Sequence, residues 1–290
     1  MMISYQELVR TFPCYIKTIR LLQREGKFSN IKFCISLLCG HMKSSGFGES
    51  MAWQVGINPK EQTTFDFRVK KPGFKASQYY FEAEGENSKV SSALNSSLLG
   101  ADWGLGFFRH QSCNFCDDIA GELADVTLGD AWLDKYTKDY LGTNILVVRN
   151  EQIFDLLNNY KQEVKIEEVD VETFYNTQKS NYGNRRGGII AQLSTNNKKW
   201  MPQKRLDICE PYKPSKSKSS IYLYRAKISS LSIKNFGIAK RINSLAAFKL
   251  LMFPYLIKYY YMHKGAFYAI RQLIPNQIKI LAKGIKSKIK

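Results

Sequence analysis

Cysteine is scarce in this chain, which has six cysteines among 290 residues, and the six are widely scattered. A disulfide scaffold needs a denser set, so we exclude that class of protein. The first twenty residues also lack the uninterrupted apolar run of a signal peptide. These two absences predict a reducing, cytoplasmic setting, where a close cysteine pair serves a metal, an iron–sulfur cluster or a redox dithiol.

Carboxylate side chains are nearly missing from the last third of the chain. After residue 202 the sequence has nineteen Lys and Arg but only Asp207 and Glu210, whereas residues 1–202 hold 24 basic and 23 acidic side chains. The net charge of +18 therefore belongs to the tail. A near-neutral body with a cationic extension predicts attachment to an anionic surface, and a solvated helical extension is the alternative.

The tail lacks an apolar run long enough for a membrane-spanning helix, because Lys249, Pro254 and Lys258 interrupt residues 245–262. Lysines beside Phe, Leu and Tyr are typical of a helix that lies along lipid headgroups, so we expect a peripheral position at the inner face of an anionic membrane. The basic residues belong to no recognised nucleic-acid-binding module, and the sequence does not favour nucleic acid as a partner.

Apolar periodicity in the first hundred residues predicts both helix and strand. Residues 14–25 have helical spacing and end at Gly26, whereas residues 31–38 form a mostly apolar run of strand length. Cys34 lies inside that run, so we expect it to be buried. Further strands are predicted at 63–70 and 78–84, and a flexible loop or weak helix at 87–97.

The same patterns continue beyond residue 120. They predict strands at 125–130, 145–148 and 164–169 and a helix over 151–160. A strand, helix, strand order predicts a crossover onto one sheet. We therefore expect an α/β fold, a mixed sheet with flanking helices, followed by a basic helical C-terminal extension.

Three parts are expected along the chain. Residues 211–220 are rich in Pro, Ser and Lys, which is typical of a linker. The predicted parts are a body at 1–202, a linker at 203–220 and a basic helical tail at 221–290.

Cys113 and Cys116 carry the clearest chemical signal. Their two-residue gap lets both thiolates reach one metal or cluster, and the strand behind them supplies a rigid base. Cys14 at a predicted helix start and Cys39 at a predicted strand end can complete a four-thiolate cage. Zinc and an iron–sulfur cluster both accept such a cage, and one pair with two distant single cysteines favours the cluster.

Two further segments are candidates for cofactor binding. Asp130 follows Gly129 at a predicted strand end, where sites are common. The glycine-rich segment 181–188 carries Arg185 and Arg186, and as a loop it would bind phosphate through backbone amides and guanidinium groups. It matches neither a dinucleotide fingerprint nor a P-loop, so a plain surface turn is the alternative.

Several motifs together resemble a known family. They are Pro13-Cys14, Cys39-Gly-His41, Phe65-Asp-Phe-Arg68, Gly73-Phe-Lys75, Ser112-Cys-Asn-Phe-Cys116, Ala124-Asp-Val-Thr-Leu-Gly-Asp-Ala-Trp132 and Leu141-Gly-Thr143. In order and spacing they resemble the C-terminal part of the coenzyme F420 hydrogenase/dehydrogenase beta-subunit family, over about residues 11–195. The basic tail lies outside the resemblance.

The resemblance implies an iron–sulfur flavoprotein oxidoreductase that relays electrons between a [4Fe–4S] cluster, FAD and a hydride-carrying substrate such as coenzyme F420. It assigns the cluster to Cys14, Cys39, Cys113 and Cys116, and it adds Thr143 to Gly129 and Asp130 as cofactor-binding candidates. It assigns no catalytic residue.

The relatives that the chain resembles most occur in bacterial polysaccharide synthesis. The ferredoxin-like segment that many members carry at their N-terminus is absent from this sequence, so the implied electron donor is another protein or subunit. The alternative is a non-catalytic or zinc-bound protein of a glycan-synthesis pathway, whose tail docks on a membrane.

Overall fold

The computed structural model describes residues 7–195 and 204–273. Its strands are β1 (Leu8–Thr11), β2 (Phe33–Leu37), β3 (Gln62–Val69), β4 (Tyr80–Gly85), β5 (Val90–Leu94), β6 (Val126–Asp130) and β7 (Asn144–Val148). Its α-helices are α1 (Pro13–Arg24), α2 (Gly46–Gln54), α3 (Asp134–Thr137), α4 (Glu151–Asn159), α5 (Val171–Thr195), α6 (Lys216–Arg241) and α7 (Leu245–Leu273).

A four-stranded mixed sheet organises the first half of the fold, in the order β1-β2-β6-β7. Strand β2 pairs in parallel with both β1 and β6, whereas β6 and β7 are antiparallel. Parallel neighbours need a crossover connection, and α1 supplies it between β1 and β2. The predicted α/β class, with a mixed sheet, flanking helices and C-terminal helices, is confirmed.

Helix α1 follows the sequence prediction closely. Pro13 occupies its first turn, where the missing N–H costs nothing. Gly26, at φ +78°, ends it by donating its N–H to the carbonyl oxygen of Gln23 at 3.0 Å. Ile16 is fully buried against Cys34 of β2, which confirms that this cysteine is buried.

A second sheet contains β3, β4 and β5 in antiparallel order. The hairpin of β3 and β4 confirms the two predicted strands. The prediction of a loop or weak helix at 87–97 was wrong, because β5 lies there. Its weakly apolar residues form a strand since β4 offers paired hydrogen bonds, and Ala93 lies opposite the fully buried Phe81.

The strand predicted at 164–169 was also wrong, since no strand is formed there. Val164 and Val169 are substantially exposed, so their apolar side chains do not bury against a sheet. Strand β7 instead turns back directly onto β6, so the crossover expected after α4 does not form.

The predicted glycine-rich loop at 181–188 was wrong, because it lies within the 25-residue helix α5. Tyr182, Arg185 and Ile189 recur at helical spacing and are buried. Gly187 allows a close approach, since a Cβ atom there would lie 2.8 Å from the carbonyl oxygen of Tyr212. Its role is helix packing, which composition alone does not distinguish from loop formation.

Helices α6 and α7 pack into the main hydrophobic core. Phe236 of α6 and Phe248 of α7 contact each other and Phe108, with ring centroids 5.3 to 5.9 Å apart. The three-part division at 1–202, 203–220 and 221–290 stays a prediction, but the helices share buried aromatic contacts with the body. Within the described ranges, no helix is long and apolar enough to cross a bilayer.

Candidate functional site

Backbone contacts bring the cysteine-bearing segments together. Cys39 follows β2 and donates its N–H to the carbonyl oxygen of Ile119 at 3.0 Å. Cys113 lies in a 3₁₀ turn over residues 111–115. An isolated antiparallel bridge between Lys43 and Arg109 ties the segment after Cys39 to the segment before Cys113. The sheet and this bridge therefore place two distant parts of the chain side by side.

The thiols of Cys14, Cys39, Cys113 and Cys116 lie within electrostatic range of one another. Burial raises the pKa of Cys39 to about 12; Arg185 opposes the shift, and the three other thiols add to it. Burial also raises the pKa of Cys14, and Cys116 and Cys113 add to that shift. The structure thus brings together the four cysteines named from the sequence, and their role as ligands stays a prediction.

The positions of these four thiols relative to one another determine whether they could bind a single metal ion. Across residues 7–195 and 204–273, no three His, Cys, Asp or Glu side chains are placed to hold a single metal ion. The four thiols are therefore near one another but not gathered around one point.

Basic side chains surround the cysteines. Arg185 donates from Nη1 to the carbonyl oxygen of Cys113 at 2.7 Å. Burial lowers the pKa of Arg109 to about 10, and Arg185 adds to that shift. Burial also holds the pKa of His41 well below its usual value, with Lys43, Arg109 and Arg185 contributing. The cysteines thus lie in a region of positive potential.

Three of these basic groups have nitrogens without an acceptor. His41 Nε2, Arg109 Nε and Arg185 Nε are buried and make no hydrogen bond to any residue that the structure describes. Leaving a buried polar group unpaired costs roughly 1–3 kcal/mol, and more when the group is charged. An anionic or electron-rich group beside Cys39 and Cys113 would remove that cost, so the residues fit such a group.

Lys43 has the most perturbed amine in this region. Burial lowers its pKa to about 7, although Asp102 acts in the opposite direction. Its Nζ donates to the carbonyl oxygen of Phe107 at 2.9 Å and lies 3.9 Å from the ring centroid of Phe47 and 4.6 Å from that of Trp103. Lys43 therefore gives up its proton more readily than a lysine in water.

A small depression, open to solvent, lies elsewhere, at the end of β6. Asp130, Thr143, Trp132 and Lys70 are among its lining residues. Asp130 Oδ2 lies 2.8 Å from Arg68 Nη1, whose guanidinium group also stacks near Trp132. The depression is therefore lined by an aromatic side chain and by a carboxylate whose ion-pair partner lies beside it.

A sequence model of one known family matches residues 8–173, which is more than half of the chain, and it describes the C terminus of the coenzyme F420 hydrogenase/dehydrogenase beta subunit. The chain belongs to this family. No curated protein matches it. Among solved structures, it is similar to a chain of the F420-reducing [NiFe] hydrogenase complex from Methanosarcina barkeri, studied by xenon derivatization.

The similarity to that hydrogenase chain is distant. Sequence identity is 14%, the TM-score is 0.38, and the match covers 60% of this chain and 57% of that chain. This member of the beta-subunit family therefore spans less than two thirds of the hydrogenase chain's length.

The predicted cofactor-binding residues fall at different places in this beta-subunit family member. Asp130 and Thr143 share the depression. A Cβ atom at the neighbouring Gly129 would lie 2.5 Å from Leu38, so this glycine allows close packing of two segments. Arg185 lies at the cysteines.

Arg186 lies away from the depression. Its Nη2 is 3.6 Å from Glu122 Oε1, and its guanidinium group lies 4.9 Å from the ring centroid of Tyr182 and 5.5 Å from that of Tyr212. Both Arg185 and Arg186 lie beyond the part of the chain that the family model matches.

Sequence reasoning missed Lys43 and Arg109. The one available signal was position, because Lys43 follows Cys39 by four residues and Arg109 precedes Cys113 by four. That spacing acquires meaning only when the bridge between the two segments is known.

Proposed function

We propose that the chain is an oxidoreductase subunit in which Cys14, Cys39, Cys113 and Cys116 hold a [4Fe–4S] cluster. When bound, such a cluster supplies reversible one-electron transfer. Family membership supports the reaction class. The observation that carries the proposal is that four thiols from three distant segments lie near one another, although they are not gathered around one point.

The spacing of the cysteines in the sequence favours a cluster over a single zinc ion. Structural zinc sites usually combine two close pairs of ligands, whereas this chain has one close pair and two distant single cysteines. A four-iron cluster takes one thiolate at each iron, so it suits four cysteines from a large domain.

The surrounding residues suit the charge of such a centre. Arg185 holds the Cys113 backbone, and the N–H of Met42 lies 3.5 Å from Cys113 Sγ. Cys39 is buried, which keeps water from that side. The unpartnered nitrogens of Arg109 and Arg185 would face negative charge where the thiolates meet.

The hydride-transfer half of the proposed function rests on the depression at Asp130 and Thr143. The depression is open to solvent and encloses far less than the roughly 300–1,000 Å³ of usual ligand sites, so it would hold only the edge of a molecule that lies mainly outside it. We propose that it takes one end of a flavin or of an F420-like deazaflavin, with electrons supplied by a separate protein. FAD and a role in polysaccharide synthesis stay predictions of the sequence resemblance, and a cytoplasmic location stays a prediction from the composition.

Anaerobic purification followed by iron, sulfide, zinc and flavin analysis tests the proposal. We expect a brown protein with about four iron and four sulfide per chain. A colourless protein with one zinc per chain would contradict the cluster and favour the zinc-bound alternative.

Replacing Arg185 with methionine is expected to make the reduction potential of the bound cluster more negative. The change removes a buried positive charge beside Cys39 and Cys113, and net charge and hydrogen bonds set such potentials. The measurement is a redox titration followed by electron paramagnetic resonance.

Arg186→Met is the matched control, since this neighbouring arginine pairs with Glu122 and lies over two tyrosine rings. We expect a smaller change there. Equal shifts in the two variants would show that the potential responds to overall charge and not to Arg185 beside the cysteines.

A further inference from the structure

Helix α7 has two apolar faces, of which only one is buried. The inner face, Phe248, Met252, Leu256 and Tyr259, lies in the hydrophobic core. On the opposite side Leu250, Phe253, Ile257 and Tyr261 recur at spacings of three and four residues, and we name this set the outer stripe. Leu250 is 74% exposed, Phe253 48% and Tyr261 60%.

Large apolar side chains in a row on a helix surface indicate an interaction site, whereas single exposed ones need no explanation. Core packing accounts for the inner face, but it gives no reason for leucine, phenylalanine and tyrosine to recur on the outer one. The outer stripe therefore needs an occupant with an apolar region at its surface.

Lysine side chains flank the outer stripe. Lys249, Lys258 and Lys264 are exposed along the same helix. The sequence contains no Asp or Glu after Glu210. A partner that covers this face must therefore be anionic.

We propose that the outer stripe docks on the surface of an anionic lipid bilayer. Leu, Phe and Tyr enter the boundary between headgroups and acyl chains, while lysines on the flanks remain at the anionic headgroups. An acidic protein is less suited to this face, because lysine is depleted at the centres of protein interfaces. The proposal goes beyond the redox function and does not depend on it.

Vesicle flotation of the full-length protein tests this docking surface. Phosphatidylcholine vesicles are compared with vesicles containing about one third phosphatidylglycerol, at low and at high salt. We expect the protein to float with the anionic vesicles at low salt, to float less at high salt, and not to float with phosphatidylcholine alone. Absence of flotation with anionic vesicles would overturn the proposal, and salt-independent binding to both vesicle types would do so too.

A double variant, Leu250→Ser with Phe253→Ser, locates the contact. Loss of two inserted apolar side chains is expected to lower the vesicle-bound to free ratio at least about tenfold. Phe154→Ser is the matched control, because Phe154 of α4 is 50% exposed, close to the 48% of Phe253. The control is expected to float like the unaltered protein. An equal loss in the control, or no loss in the double variant, would contradict docking through the outer stripe.

A second double variant removes positive charge and tests whether the lysines contribute to docking. Lys249→Gln with Lys258→Gln leaves the apolar residues in place, and we expect weaker flotation and a smaller effect of salt. Circular dichroism of each variant checks that the fold is retained. If this variant floats as strongly as the unaltered protein and with the same dependence on salt, the proposed contact between these lysines and anionic headgroups is wrong.

Discussion

Cys39→Ser is expected to remove nearly all iron from the protein. Cys39 is buried where three other thiols approach it, so a hydroxyl group there replaces one of four soft ligands with a poor one. The loss should leave the basic groups around Cys113 without an anionic counterpart. Iron and sulfide per chain after anaerobic purification, with the visible absorbance, measure the effect.

Cys34→Ser is the matched control for this variant. Cys34 lies five residues earlier, in β2, and is also buried, but it packs on Ile16 and not against the other thiols. We expect it to keep the iron content of the unaltered protein, with a modest loss of stability. If Cys39→Ser retains its iron, or if both variants lose it equally, the assignment of Cys39 as a ligand fails.

The positions of Cys14 and Cys39 could be predicted because local signals are strong around them. Pro13 and Gly26 mark the ends of α1, and the apolar run before Cys39 predicts β2. The signals in the neighbouring residues are then enough to predict one cysteine at a helix start and one after a strand. The short gap between Cys113 and Cys116 supplies the rest of the predicted set.

The basic surroundings of the cysteines depend on contacts between distant segments. Lys43 meets Arg109 through an isolated bridge between parts of the chain that are far apart in sequence, which no local pattern encodes. Arg185 was predicted in a loop because its segment is rich in glycine, but it projects from a buried face of α5. Glycine that allows close helix packing and glycine that forms a turn look alike in composition.

β5 and the C-terminal helices also depend on contacts that local sequence patterns do not predict. The sequence Val-Ser-Ser-Ala-Leu has little strand signal of its own, and it forms β5 because β4 lies beside it. In the tail, the excess of lysine predicts an extension, whereas Phe236 and Phe248 in the same helices join the aromatic core. Charge describes the outer surface of such a helix and says little about its inner one.

Phe248→Ala is expected to lower the free energy of unfolding by about 3–5 kcal/mol, the usual cost of truncating a buried phenylalanine. Phe248 is fully buried and contacts Phe107, Phe108 and Phe236, so the change leaves a cavity between α7, α6 and the body. Urea unfolding followed by tryptophan fluorescence is the measurement.

Tryptophan fluorescence also tests whether the body and the C-terminal helices unfold as one unit. All four tryptophans lie within residues 1–202, and Trp53 packs edge-on against Phe236 of α6 with ring centroids 6.1 Å apart, so their signal reports on the body and on its contact with α6. If the helices unfold together with the body, Phe248→Ala shifts the fluorescence transition to lower urea, whereas Phe253→Ala, on the exposed side of the same helix, leaves it nearly in place. A fluorescence transition that Phe248→Ala does not move would show that the body is stable without α7. The division after residue 202 would then describe two independent folding units, because a shared core couples the stability of every element that contributes to it.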